Sequence, residues 1–147
     1  MRDKIRVLNY YPYLQFDTGS PKAMANFIES LDRTIFQPVY CAAGSGPLVD
    51  ALAARGVEIV RGQADSVTFR RPLAALAAVR RQSALLKSWG IDILHAHGLF
   101  WNTDLILAAW TLRIPVVLHV HNPDAVAFRN LNRLAEPAVV RGLDNRL

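Results

Sequence analysis

The chain has 147 residues, 52% of them hydrophobic and 20% charged, with a formal net charge of +5. This balance suits one globular domain with a real core and excludes an intrinsically disordered chain. The single cysteine, Cys41, excludes an internal disulfide framework and fits a reducing, cytoplasmic setting, with the thiol as buried filler.

The opening MRDKIRVLNYYPY carries basic residues, but its apolar run is too short for a signal peptide. Lys4 to Asn9 reads as a first strand, followed by an aromatic loop from Tyr10 to Gly19. Ser20 is a good N-cap and Pro21 fits the first helical position. Met24, Phe27, Ile28 and Leu31 then follow the stripe of a core-facing helix. Gln37 to Ala42 is the second strand. Gly44, Gly46 and Pro47 make a turn, and Leu48 to Arg55 a short helix closed by Gly56 in a left-handed position.

Val57 to Val60 is the third strand, and Gly62 to Arg71 a polar loop. Pro72 to Trp89 is a long helix closed by Gly90. Ile91 to His95 is the fourth strand, Thr103 to Leu112 an almost wholly apolar and therefore buried helix, and Pro115 to His119 the fifth strand. From Asp124 the pattern is helical again, with a break near Pro137. No stretch reaches the ~18 uninterrupted apolar residues of a membrane span. Regular alternation predicts an α/β fold: a Rossmann-like, doubly wound parallel sheet of at least five strands, with helices on both faces.

All four histidines fall in two His-x-His pairs, His95 with His97 and His119 with His121. Each pair closes a short apolar run that reads as a buried parallel strand. Open α/β sheets bind ligands outside the carboxyl ends of their strands, so the pairs mark a candidate site. Neutral imidazoles bind zinc or iron. However, the barrel that carries such pairs in metal hydrolases needs about 250 residues, and no carboxylate ligand is evident on a third strand. No metal is therefore expected. Hydrogen bonding to a polar substrate or phosphate is the other chemistry imidazole offers here. The outer members, His97 and His121, are expected to be functional, and His95 and His119 to be structural residues at strand ends.

Gly19 and Ser20 place free N–H groups and a helix N-terminus at the carboxyl edge, which favours an anion; contact with a diphosphate is one reading and an ordinary capped helix after a loop the other. Trp101, beside Phe100, offers an aromatic face to a sugar ring, and Asn102 or Thr103 caps the helix that follows. Asn122 is both a cap and a polar contact, and Arg70 with Arg71 suits an anionic acceptor. Gly44-x-Gly46 follows the second strand and lacks a third glycine, so it is turn chemistry rather than a dinucleotide fingerprint. There is no Gly-x-Ser-x-Gly elbow, no Walker loop and no Asp-x-Asp pair. The basic residues are scattered and do not alternate with aromatics, so no nucleic acid is expected.

The KIRVLNYYP start, TGSPKAMANFIESL, GPLVDALAARGVEIV, the closing RLAEPAVVRGLDNRL and above all DILHAHGLFWNTDLILAAWTLRIPVVLHVHN resemble the N-terminal domain of the family 4 type glycosyltransferases, which have the GT-B fold. The resemblance implies transfer of a sugar from a nucleotide diphosphate-sugar to an acceptor, with retention at the anomeric carbon and neither metal nor cofactor. It implies two Rossmann-like domains across a cleft, the first shaping the acceptor side and the second gripping the nucleotide. The family's diphosphate loop maps onto Thr18, Gly19 and Ser20, with Ser20 standing where the family has a second glycine. Its donor-sugar histidine maps onto His97, and its strand-five histidine and polar neighbour onto His121 and Asn122.

The family's paired glutamates would lie beyond this chain. The expectation is thus a single N-terminal, acceptor-side domain over residues 1–147, cut before its last strand and the donor-binding domain, and inactive alone. Expected partners are a nucleotide-sugar donor, a sugar or lipid-linked acceptor, the C-terminal domain and, through Arg80, Arg81 and Lys87, an anionic inner membrane face. The alternatives are a non-catalytic Rossmann-like binding module and a metal-dependent hydrolase built on the His-x-His pairs.

Overall fold

In a computed structural model, which describes residues 3–12, 14–15, 19–68, 70–97 and 102–119, the first apolar run forms β1 (Ile5–Tyr10). It is followed by α1 (Gly19–Ser30), β2 (Phe36–Ala42), α2 (Pro47–Ala54), β3 (Glu58–Arg61), α3 (Pro72–Trp89), β4 (Ile93–His97), α4 (Thr103–Thr111) and β5 (Val116–His119). The five strands form one sheet in the order β3-β2-β1-β4-β5, and every pairing is parallel. The order reverses at β1, which lies between β2 and β4. A crevice opens at such a switch point, at the carboxyl ends of the two central strands.

The period of two along each strand sorts the core into two layers. On β2, Val39 and Cys41 join Leu8, Tyr10, Leu94, Ala96, Leu86, Leu105 and Ala108 beneath α3 and α4. Tyr40 and Ala42 face the other way, toward Met24, Ile28, Leu48 and Leu52 of α1 and α2. The sheet is therefore covered on both faces, as the alternation predicts. Cys41 is buried filler as expected: burial pushes its thiol up to about 12.

Three helices end in the same way. At α2, Gly56 N–H donates to Ala53 O and Val57 N–H to Leu52 O; at α3, Gly90 N–H donates to Lys87 O and Ile91 N–H to Leu86 O. At α4, Arg113 N–H donates to Trp110 O and Ile114 N–H to Ala109 O. These are Schellman pairs, which need a left-handed residue just past the helix. Gly56 and Gly90 supply it at φ 72° and 61°, but at α4 the position is held by Arg113 at φ 58°.

The structure corrects several expectations. Helix α1 begins at Gly19, so Ser20 lies inside the first turn rather than capping it. Strand β4 runs two residues further, to His97, because its register against β1 and β5 carries the ladder past His95. Helix α4 is not wholly buried: Leu105, Ala108 and Ala109 pack inward, while Trp110 is 73% exposed on the outer face. Strand β5 is likewise not buried. It is the sheet edge among the described residues, and Val116, Val117 and Leu118 remain exposed.

The first part of the expected polar loop, residues 62–67, is closely held. The Tyr10 hydroxyl donates to Ala64 O and accepts from Ala64 N–H. Val67 N–H donates to Thr103 Oγ1 at 2.8 Å, and Gln82 Nε2 donates to Gln63 O at 2.7 Å. Gly44-x-Gly46 also has a packing role. Leu48 N–H donates to Leu14 O, and a Cβ on Gly46 would lie 2.8 Å from that oxygen. The turn thus pins the loop after β1 against the start of α2 by a close backbone approach that only glycine allows. The helical pattern expected from Asp124 lies outside the described residues.

Candidate functional site

Asn9, the penultimate residue of β1, is paired in register with His95 of β4, and His97 of β4 with His119 of β5. Residues i and i+2 of a strand share a face, and so do partners in a parallel ladder. Leu94 and Ala96 occupy the α3 side of β4, which turns His95 and His97 toward α1. Three imidazoles from two strands therefore meet on one face of the sheet, at its carboxyl end.

Their rings touch in a chain. The His95 and His97 centroids are 4.3 Å apart, those of His97 and His119 5.0 Å, and those of His95 and His119 5.8 Å. Phe27, two turns into α1, lies edge-on to His95 at 4.3 Å, and Tyr11 lies edge-on to His97 at 5.9 Å. His95 is 2% exposed and His97 0%, whereas His119 is half-buried. Two of the rings expected along an open rim are thus enclosed. Phe27 of α1 and Tyr11, just past the end of β1, are among the side chains that cover them.

The tautomer of His95 follows from its neighbour. Asn9 Nδ2 donates to Val7 O at 3.1 Å and Val39 O at 3.4 Å. Flipping that amide would set its oxygen against two carbonyls, so Oδ1 faces His95 Nδ1, 3.0 Å away. Nδ1 therefore carries a proton and donates it to the Asn9 amide oxygen. The expected division into functional and structural histidines does not appear as two separate places, since His95, His97 and His119 form one cluster.

The remaining sequence candidates are spread along the carboxyl edge. Gly19 and Ser20 are the first residues of α1; Gly19 is exposed, and a Cβ there would meet no heavy atom within 4 Å. Among the described residues, therefore, no atom needs a glycine there to make room. Arg70 is exposed just before α3, the helix of the opposite face, and its backbone N–H donates to Thr68 Oγ1. Asn102 takes the N-cap position of α4 without a side-chain cap bond. Its buried amide makes no hydrogen bond to any described residue. Trp101, His121 and Asn122 lie outside the described residues.

Two groups escaped the sequence reading. Asn9 was visible as a polar residue at the end of an apolar strand, the only available signal for its role. Asp104 was hidden in an apolar helix. It is 0% exposed and accepts from Gln82 Nε2 at 2.7 Å, Asp65 N–H at 2.9 Å and Leu105 N–H at 2.7 Å, with Arg81 Nη2 3.8 Å away. Burial raises its carboxyl above the ordinary value, and the hydrogen bonds from Gln82 and the two backbone groups oppose that rise.

A profile described as Glycosyltransferase Family 4 matches residues 19–146. The chain belongs to glycosyltransferase family 4. No curated protein matches it. Among solved structures, MurG from Acinetobacter baumannii superimposes with a TM-score of 0.61 at 19% identity, over 90% of this chain and 40% of that one. A glycosyltransferase from Rickettsia africae ESF-5 does so with a TM-score of 0.58 at 14% identity, over 89% of this chain and 34% of the other. At these identities the likeness is one of fold, the Rossmann-like half of the GT-B architecture. This family 4 domain spans at most two fifths of either structure. None of its described helices is long and apolar enough to cross a membrane.

Proposed function

We propose that this family 4 domain is the N-terminal, acceptor-side wall of a longer, retaining glycosyltransferase. It transfers a sugar from a nucleotide diphosphate-sugar to a sugar or lipid-linked acceptor, and needs neither metal nor cofactor for the transfer. The observation that carries the reading is the family match over residues 19–146. The partial coverage of the two solved structures supports a second domain across the cleft.

In this reading the exposed start of α1, at Gly19 and Ser20, offers backbone N–H groups to the donor diphosphate. His97 orients and polarises the donor sugar. Because its ring is wholly enclosed, whatever covers it must move aside when donor binds. His121, Asn122, Trp101 and Arg70 face the acceptor. Transition-state stabilisation needs groups from both walls, so the chain alone does not turn over.

The test is sugar transfer from a panel of nucleotide diphosphate-sugars, by this chain and by the longer protein. The reading expects transfer only from the longer protein, with anomeric configuration retained and activity unchanged by a chelator. Inversion, or loss of activity on chelation, refutes it.

A cytoplasmic enzyme with a lipid-linked acceptor also has to meet the inner membrane face. Leu73, Leu76, Arg80 and Lys87 are exposed along one side of α3, an apolar start with a basic continuation. Arg81 contributes less, since it leans toward Asp104. Co-sedimentation with anionic vesicles, weakened by salt and by Arg80→Glu, is expected; binding indifferent to both would remove the membrane contact.

A further inference from the structure

A buried side-chain amide at the start of α4 stands unused by the rest of the described chain. Asn102 is 0% exposed, and neither its Nδ2 nor its Oδ1 makes a hydrogen bond to any described residue. We propose that this amide is the binding group of a site for an uncharged, hydroxyl-bearing ligand, and that it reads two neighbouring hydroxyls of a sugar ring. Identifying that ligand with the acceptor rests on the transferase reading; the site itself does not.

The ordinary role of an N-cap residue is closed to Asn102. Such a side chain accepts from the second or third N–H of its helix. Here the Asp104 N–H donates to Asp65 O at 3.2 Å, and the Leu105 N–H to Asp104 Oδ1 at 2.7 Å. Both donors are spent, and the Asn102 amide is left over. A buried polar group without partners is costly, and nearly all native ones are satisfied. A ligand that both donates and accepts removes that cost, and its hydrogen bonds replace none that Asn102 makes to a described residue. This gain offsets the displacement of whatever encloses the side chain.

Placement is the second support. Asn102 opens the helix that follows β4, so it lies on the carboxyl edge of the sheet, where open α/β sheets bind ligands. Its backbone is held in place. Asn102 O accepts from Ile106 N–H at 3.0 Å, Thr103 Oγ1 accepts from Val67 N–H at 2.8 Å, and Asp104 exchanges hydrogen bonds with the backbone of Asp65. An amide carried on so fixed a backbone loses little freedom when it binds.

The surrounding charge sets the class of ligand. A helix N-terminus attracts anions through its free N–H groups. At α4 two of these are taken, the carboxyl of Asp104 already stands in the first turn, and Arg81 Nη2 leans on that carboxyl from 3.8 Å. A phosphate or carboxylate gains little there. An uncharged ligand gains from the amide alone, whose oxygen accepts and whose NH2 donates. The two stand side by side, as do hydroxyls on adjacent carbons of a sugar ring, each able to donate and to accept.

The test follows the side-chain NH2 signals of Asn102 by NMR in this chain. The chain is titrated with the methyl glycosides of glucose, galactose and mannose, and separately with inorganic phosphate. A saturable shift with at least one glycoside, and none with phosphate, is expected. No shift with any of the three, or a shift with phosphate alone, would overturn the proposal. These arms use the parent chain, so a variant that fails to fold does not shield it. In the proposed longer enzyme, Asn102→Leu should raise KM for the acceptor roughly tenfold, with KM for the donor moving by less than about threefold. An unchanged acceptor KM, or an equal rise for both substrates, would overturn the assignment of the ligand as acceptor. The two readings fail separately. A glycoside shift in a protein whose longer form transfers no sugar removes the transferase reading and keeps the site. Active transfer without any glycoside shift does the reverse.

Discussion

Arg113 shows how one residue can carry a cost that its neighbours avoid. It holds the left-handed turn after α4 at φ 58°, where the corresponding positions after α2 and α3 are glycines. The Schellman hydrogen bonds from Arg113 and Ile114 lock it there, and Ile114 packs on the core just beyond. A Cβ in that conformation is strained, although glycine loses more freedom on folding. We expect Arg113→Gly to stabilise the domain by roughly 0.5–1 kcal/mol. Thermal unfolding would report it as a rise of roughly 2–4 °C. An unchanged or lower midpoint would mean that Arg113 makes compensating contacts. At this scale the sequence was readable where glycine marked the turn, at Gly56 and Gly90. It was silent at Arg113, whose composition gives no sign of a positive φ.

Elements are joined here by polar side chains as well as by the core. Asp104 sits in the first turn of α4, where a carboxylate suits the helix dipole, and receives hydrogen bonds from α3 and from the segment after β3. Removing it leaves the Asp65 N–H without its acceptor and Gln82 Nε2 with only Gln63 O, so Asp104→Ala should cost roughly 1–3 kcal/mol in urea unfolding. The pH dependence has a definite sign. Burial raises the native pKa, so between the ordinary value and the raised one the native state binds more protons than the unfolded state. This contribution is complete below the ordinary value and is lost as pH rises through the raised one. The difference in stability between the parent and Asp104→Ala should shrink across that window as pH rises. A difference that grows would contradict the assignment. Helix α3 was legible to the residue because Pro72 and Gly90 punctuate it. Strand β4 was displaced by two residues, because nothing local distinguishes the last turn of a strand from the loop when the residues are His-Ala-His. The ladder with β1 and β5 decides it.

For the whole molecule, alternation of strands and helices was enough to predict the doubly wound sheet, since a parallel strand needs a crossover and a crossover needs a covering helix. The meeting of His95, His97 and His119 was also foreshadowed, because both His-x-His pairs fall at the ends of predicted strands. Their burial was not, since it depends on Phe27 and Tyr11 arriving from other elements. Nor was the exposure of β5, which depends on what lies beyond the edge rather than on Val116, Val117 and Leu118 themselves. The central claim is that the imidazole cluster at the carboxyl end of β4 and β5 serves the sugar-transfer reaction through His97. The most direct measurement is the steady-state turnover of the proposed longer enzyme carrying His97→Ala, with folding checked by its unfolding midpoint. The account predicts a loss of at least tenfold, or ~1.4 kcal/mol of transition-state stabilisation. A folded variant with unchanged turnover would contradict it.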